Sequence, residues 1–140
     1  MSPLRGNENA VPKRILVVED NDLNRKLFCD VLKANGFEVV PVADGQNVLP
    51  TARKSKPDAV VLDIQLPNVS GLELIEAFGA DRALRTIPIL AVTAYAGKGD
   101  EEKIRAAGAK DYLAKPVSIN PFMAAVRGLM AGEDAAPAIG

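Results

Sequence analysis

Histidine is missing altogether from this chain of 140 residues. Without it the chain cannot carry phosphohistidine, which excludes a histidine kinase and a histidine phosphotransfer protein, and it has no imidazole for a zinc site. Tryptophan is absent too, and aromatic residues make up only 4% of the sequence, a poor supply for stacking a flavin or a base. The single cysteine, Cys29, cannot close an internal disulfide. It reads as a small buried hydrophobe rather than a reactive thiol. Neither sign of charge is in excess: 17 basic against 18 acidic residues give a net charge of −1. A phosphate backbone or an anionic membrane would need a basic patch, so no nucleic-acid partner is expected. Signal peptides and long apolar segments are also lacking, so no membrane insertion is expected and a cytoplasmic location follows.

What remains is a chain with 48% hydrophobic residues, enough to bury one core without disulfide or metal staples. Its length suits a single domain. Four short apolar runs each end in a reactive side chain. Arg14-Ile15-Leu16-Val17-Val18 stops at Glu19-Asp20, and Ala59-Val60-Val61-Leu62 stops at Asp63. Ile89-Leu90-Ala91-Val92 stops at Thr93, and Asp111-Tyr112-Leu113-Ala114 stops at Lys115-Pro116. Such runs read as strands buried on both faces. In an open parallel α/β sheet, ligands bind beyond the carboxyl ends of the strands. Neighbouring parallel strands would therefore bring three carboxylates, a hydroxyl and an ammonium to one place. That set suits a divalent metal and a phosphoryl group.

Glu19-Asp20-Asn21, Leu62-Asp63-Ile64-Gln65-Leu66-Pro67, Val92-Thr93-Ala94 and Lys115-Pro116 stand in the order typical of response-regulator receiver domains. From about Arg14 to Met130 the chain resembles that family. Lys98-Gly99-Asp100-Glu101-Glu102 adds a likeness to its single-domain members that control cell division.

Alternating strands and helices with right-handed crossovers predict a flavodoxin-like, doubly wound α/β fold. The expectation is a five-stranded parallel sheet in order 2-1-3-4-5 with five helices. Residues 1–12 read as a disordered lead-in, 13–130 as the receiver domain and 131–140 as a flexible tail. Helical spacing over 22–35 places Phe28, Val31, Leu32 and Asn35 on one side, and Gly36 supplies a left-handed stop. Residues 37–42 form the second strand. Asp44 suits the N-cap of a second helix reaching Lys54, shortened or kinked by Pro50. Further helices are expected over 71–80 and 100–107, with Gly108 stopping the latter. The last is expected to run from Asn120-Pro121, with Pro at the first helical position, to about Met130.

The family resemblance implies roles for individual residues. Asp63 would be the phosphoacceptor, since a carboxylate can form an acyl phosphate when nearby positive charge neutralises the phosphoryl oxygens. Mg2+ would be held by Asp20, Asp63, the backbone carbonyl of Gln65 and Glu19, the last directly or through water. Thr93 and Lys115 would contact the phosphoryl oxygens, the Lys aimed inward by a cis peptide before Pro116. Thr93 and Tyr112 would form the switch, the ring turning inward behind the hydroxyl. Gln65 and Tyr95 would flank the path of the attacking water and tune phosphoryl lifetime, Tyr95 as a shield. Leu23 and Leu27 widen the apolar arc of the first helix beyond what burial needs. With Pro116 and Val117 they would dock a histidine kinase or a histidine phosphotransfer protein.

Each assignment has a plainer competitor. Asp63 could cap the following turn, Asp20 could cap the first helix, and Tyr112 could be a half-buried strand residue. The function expected is that of a single-domain, monomeric response regulator, not an enzyme beyond its own phosphorylation and dephosphorylation, acting through protein contacts. A small magnesium-dependent phosphohydrolase with Asp63 as nucleophile is the alternative. That class needs a second acid two residues on, where this chain has Gln65. A flavodoxin-type FMN carrier would need a Ser/Thr-rich phosphate loop after the first strand, and none is present.

Overall fold

The computed structural model describes residues 12–94 and 97–139. The elements alternate as expected: β1 (Arg14–Val18), α1 (Asp22–Ala34), β2 (Glu38–Val42), α2 (Val48–Ser55), β3 (Ala59–Asp63), α3 (Gly71–Ala80), β4 (Ile89–Thr93), α4 (Lys98–Ala107), β5 (Asp111–Ala114) and α5 (Ile119–Ile139). All strand pairs are parallel, in the order β2-β1-β3-β4-β5. Their carboxyl ends therefore share one edge of the sheet. Pro41 cannot donate to a ladder, and it lies on β2 at the sheet's margin, where no second neighbour needs its N–H.

Successive strand side chains point to opposite faces, so the sheet carries two cores. Leu16, Val18, Val60, Leu62 and Ala91 face α2, α3 and α4, meeting Val48, Ala52, Leu74, Ile75, Phe78 and Ile104. Ile15, Val17, Val61, Leu90 and Val92 face α1 and α5, meeting Phe28, Leu32, Phe122, Met123 and Val126. The Phe28 and Phe122 rings stack with centroids 4.9 Å apart and tie α1 to α5. Each fully buried branched side chain contributes about 1.5–3 kcal/mol. This apolar burial lets polar groups stand at the strand ends: Glu19 just after β1, Asp63 at the end of β3 and Thr93 at the end of β4. Cys29 is buried, and burial pushes its thiol pKa up, in keeping with a packing role.

Several local expectations shift. Asp44 caps a short 3-10 turn, Gly45–Asn47, with its side chain accepting from the Gln46 N–H, and α2 starts only at Val48. Pro50 therefore lies in the first turn of α2, where a backbone N–H has no intrahelical partner to lose. It marks the helix start rather than a kink, and α2 is short at 8 residues. Asn35 does not join the buried side of α1. It is exposed, its Nδ2 donating to the Val31 carbonyl and its Oδ1 accepting from Arg127. Gly36, at φ +90°, provides the left-handed turn after α1. α5 begins at Ile119, with the Phe122 N–H bonded to the Ser118 carbonyl, so Pro121 sits inside the first turn rather than opening it. The helix continues past Met130 to Ile139. The expectation for residues 1–12 falls, Pro12 apart, outside the described residues, as does that for Tyr95. Among the described residues, no helix is long and apolar enough to cross a membrane.

Candidate functional site

Three strand ends and the loop after β5 build the site. Glu19 directly follows β1, Asp63 ends β3, Thr93 ends β4, and Lys115 directly follows β5. Glu19, Asp63 and Thr93 are buried, which is unusual for such residues without a compensating partner. Asp20 instead faces solvent at the mouth of the site. It is not the cap of α1: Asn21 takes that role, its Oδ1 accepting from the Asn24 N–H at 2.9 Å.

Asp63 uses both oxygens. Oδ1 accepts from the Gln65 N–H at 2.9 Å, capping the turn after β3, and Oδ2 accepts from the Lys115 Nζ at 2.9 Å. Turn capping and a charged contact thus coexist in one carboxylate. Lys115 precedes a cis peptide bond to Pro116, and its N–H bonds the Thr93 carbonyl at 2.8 Å. Its ammonium also lies 3.3 Å from Glu19 Oε1. Burial works against the Lys115 charge, but the hydrogen bond to Asp63 and the two carboxylate charges hold its pKa above the usual lysine value.

Glu19 has the opposite problem. Its burial, together with the adjacent Asp63, pushes its pKa up to about 7. Oε2 accepts from the Asn21 N–H at 3.1 Å, whereas the buried Oε1, despite the nearby ammonium, is in hydrogen-bond geometry with nothing. Ligand oxygens of Glu19, Asp20 and Asp63 lie within 4.8 Å of one another. A buried, unsatisfied carboxylate oxygen within an all-oxygen set is what a small hard cation such as Mg2+ requires. The residues present fit that ion.

Gln65 does more than its expected carbonyl role. Its Nε2 donates to Thr93 Oγ1 at 2.8 Å and its Oε1 accepts from the Ala94 N–H at 2.8 Å. One residue thus links Asp63, through its backbone, to the end of β4, through its side chain. The family resemblance pointed to the Gln65 carbonyl and to its place two residues after Asp63, and neither says which strand the side-chain amide reaches. The loop carrying it is closed by Gly71, whose N–H bonds the Ile64 carbonyl at 3.2 Å, and by a bridge between Gln65 and Ser70.

Two groups of residues stand outside this centre. Leu27, Pro116 and Val117, with Asn24, Phe28 and the flank of Lys115, line an open cleft of about 400 Å³. Leu23 is not in its lining, although it is the most exposed large hydrophobic residue described, at 76%. Tyr112 is half-buried against α4. Its hydroxyl donates to Glu101 Oε1 at 3.1 Å, a bond that raises the phenol pKa above its usual value. No spacing in the sequence points to a partner for this hydroxyl, because Glu101 lies on another element.

Residues 15–127 match the family described as response regulator receiver domain. The chain belongs to that family. It is 46% identical over 117 residues to the polar-differentiation response regulator DivK of Brucella anthropi, covering 84% of this chain and 95% of that one. The Brucella ovis DivK is likewise 46% identical, over 82% of this chain and 94% of its own length. Among solved structures, Vibrio cholerae chemotaxis protein CheY4 superposes with a TM-score of 0.81 at 25% identity, covering 85% of this chain and 99% of its own. The receiver domain of a Pseudomonas aeruginosa sensor histidine kinase, with a magnesium ion coordinated in its active-site cleft, gives 0.79 at 33% identity, over 86% and 99%. The receiver fold, the strand order and a place in phosphorylation-based two-component signalling follow for this chain.

Proposed function

We propose that this receiver is phosphorylated on Asp63 by a histidine kinase or a histidine phosphotransfer protein and signals through protein contacts that depend on that phosphorylation. The observation that carries the reading is the buried Asp63 carboxylate, set between the Gln65 N–H and the Lys115 ammonium with Glu19 and Asp20 beside it. An oxygen of Asp63 attacks phosphorus, forming the acyl phosphate as the bond from phosphorus to the donor's leaving group breaks and that group departs. Lys115 offsets the charge on the phosphoryl oxygens. Thr93 reaches the same oxygens once its hydroxyl is released by the Gln65 amide. Glu19, Asp20, Asp63 and the Gln65 backbone carbonyl would hold Mg2+, which supplies further neutralisation of the phosphoryl group when bound.

Gln65 argues against the phosphohydrolase alternative. Where a general acid would be needed stands an amide already bonded to Thr93 and Ala94. The protein is therefore a phosphoacceptor that catalyses only its own modification and its reversal. The likeness to polar-differentiation regulators supports a cell-division role for the unit formed by residues 13–130.

Incubation with acetyl phosphate and Mg2+ should add one phosphoryl group per chain by intact mass, removable by base or hydroxylamine. Labelling that proceeds equally in EDTA, or an adduct that survives hydroxylamine, would refute the acyl phosphate.

The donor is assigned to the cleft lined by Leu27, Pro116 and Val117, with exposed Leu23 as its neighbour on α1. Leu27→Glu places a charge on an apolar contact surface at a site 41% exposed, where the fold can accept it. Transfer from the cognate donor should fall by roughly tenfold or more, as for a central interface residue. Acetyl phosphate labelling should be unchanged, because the small donor needs no docking surface. Equal loss of both reactions would make Leu27 a structural residue instead.

A further inference from the structure

Tyr112 is held by a circuit of side chains on α4 and β5 that its role as a strand residue does not require. Its hydroxyl donates to Glu101 Oε1 at 3.1 Å, and the other oxygen of that carboxylate accepts from Arg105 Nε at 3.1 Å. The Arg105 guanidinium lies over the Tyr112 ring, 5.5 Å from its centroid. Arg105 also donates to the Lys110 carbonyl at 3.1 Å and to Asp111 Oδ1 at 3.4 Å. Asp111 Oδ1 in turn accepts the Tyr112 N–H at 2.8 Å. The tip, the face and the backbone of one tyrosine are thus fixed by three charged residues in a closed loop.

We propose that Glu101 and Arg105 are positioning residues that latch the Tyr112 ring against α4 and set the threshold that phosphorylation of Asp63 must overcome to turn it inward. The inference rests on the proposed Asp63–Thr93–Tyr112 coupling and adds to it the residues that oppose the turn. The hydroxyl cannot keep a hydrogen bond to a carboxylate on α4 while the ring swings towards β4. The move exchanges a charge-assisted bond and a cation–π contact for interior packing. Each end of the latch is also braced: Glu101 by Arg105 one turn on, and Arg105 by Asp111 at the start of β5. A single broken contact therefore leaves the others in place, and the ring is released as a unit. The latch fixes how much of the unphosphorylated protein already has the ring turned inward. It also fixes how much phosphoryl binding free energy goes into the turn rather than into affinity.

The test uses the full chain with Mg2+, beryllium fluoride as the phosphoryl mimic, and the Tyr112 ring resonances as readout. In the wild type the ring signals should move on saturation. In Glu101→Ala they should already lie part of the way to the saturated position without beryllium fluoride. The half-saturating concentration should fall by roughly three- to tenfold, the effect of removing one partly solvent-screened hydrogen bond from the resting state. Glu101→Gln, which keeps a neutral acceptor but weakens the hold on Arg105, should fall between the two and guards against a folding defect in the alanine variant. If the wild-type ring moves but neither variant differs from it in free position or affinity, the latch is overturned and the switch stands. If the wild-type ring does not move at saturation, the underlying coupling fails and the latch with it.

Discussion

Asp63→Asn should abolish phosphorylation by acetyl phosphate and, in the absence of Mg2+, make the protein more stable. The first effect follows from losing the nucleophilic oxygen. The second follows from the electrostatics of the resting site. Glu19 is fully buried, and its burial with the neighbouring Asp63 lifts its pKa from 4.5 to about 7. A carboxyl whose pKa is raised by folding costs nothing below its unfolded value, where it is protonated in both states. The cost grows as pH rises towards the folded value and is full above it. The Asp63→Asn substitution removes one of the two charges, while the amide oxygen remains an acceptor for the Lys115 ammonium. At a pH of about 8 in EDTA the variant should melt roughly 3–6 °C above wild type, corresponding to about 1 kcal/mol. At a pH of about 5 Glu19 is largely protonated in the folded state and the gap should close. A variant less stable than wild type at the higher pH would show that the Asp63–Lys115 pair outweighs the repulsion. Persistent labelling would move the phosphoacceptor elsewhere.

Gly71→Ala should be the more damaging of two alanine substitutions in the same helix. A Cβ at Gly71 would stand 2.5 Å from the Ile64 Cα and 2.7 Å from the Ile64 carbonyl oxygen. Both are backbone atoms of the loop that carries Gln65, so neither can rotate away. A Cβ at Gly79, by contrast, would meet nothing within 4 Å. Gly71→Ala should cost about 1–3 kcal/mol, as overpacking typically does. It should also lower Mg2+ affinity roughly tenfold, because the Gln65 carbonyl and the turn capped by Asp63 move together. Gly79→Ala should stabilise the protein by about 0.5–1 kcal/mol through reduced unfolded-state entropy and better helix propensity. Urea denaturation and Mg2+ titration of both variants check the pair. Wild-type magnesium binding in Gly71→Ala would mean the loop is not held to its register by that close approach.

The strands are legible because β-branched runs between turn residues have few other uses, and the reactive side chains follow those runs directly. That is enough to bring Glu19, Asp63, Thr93 and Lys115 to one edge once the order of the sheet is known. Boundaries are less legible. Pro50 reads as a defect in a longer helix, because the sequence does not show where Asp44's cap ends and the next begins. The Gln65 amide and the Glu101–Tyr112 bond are invisible for another reason. Each joins residues from different elements, 28 and 11 positions apart, and no local spacing encodes which side chains meet across a strand end.

The two cores have a consequence for how such a protein changes over evolutionary time. The α1 and α5 face, with its Leu27 cleft, and the α4 face, with Tyr112, share only the strands, and alternate strand residues serve opposite sides. Substitutions on one face leave the packing on the other untouched, so their effects on stability add rather than couple. On the proposed assignment of the Leu27 cleft to the donor and the Tyr112 face to the target, a lineage can exchange the protein it listens to without disturbing the one it addresses. The chemistry between them, anchored at the strand ends, is inherited intact.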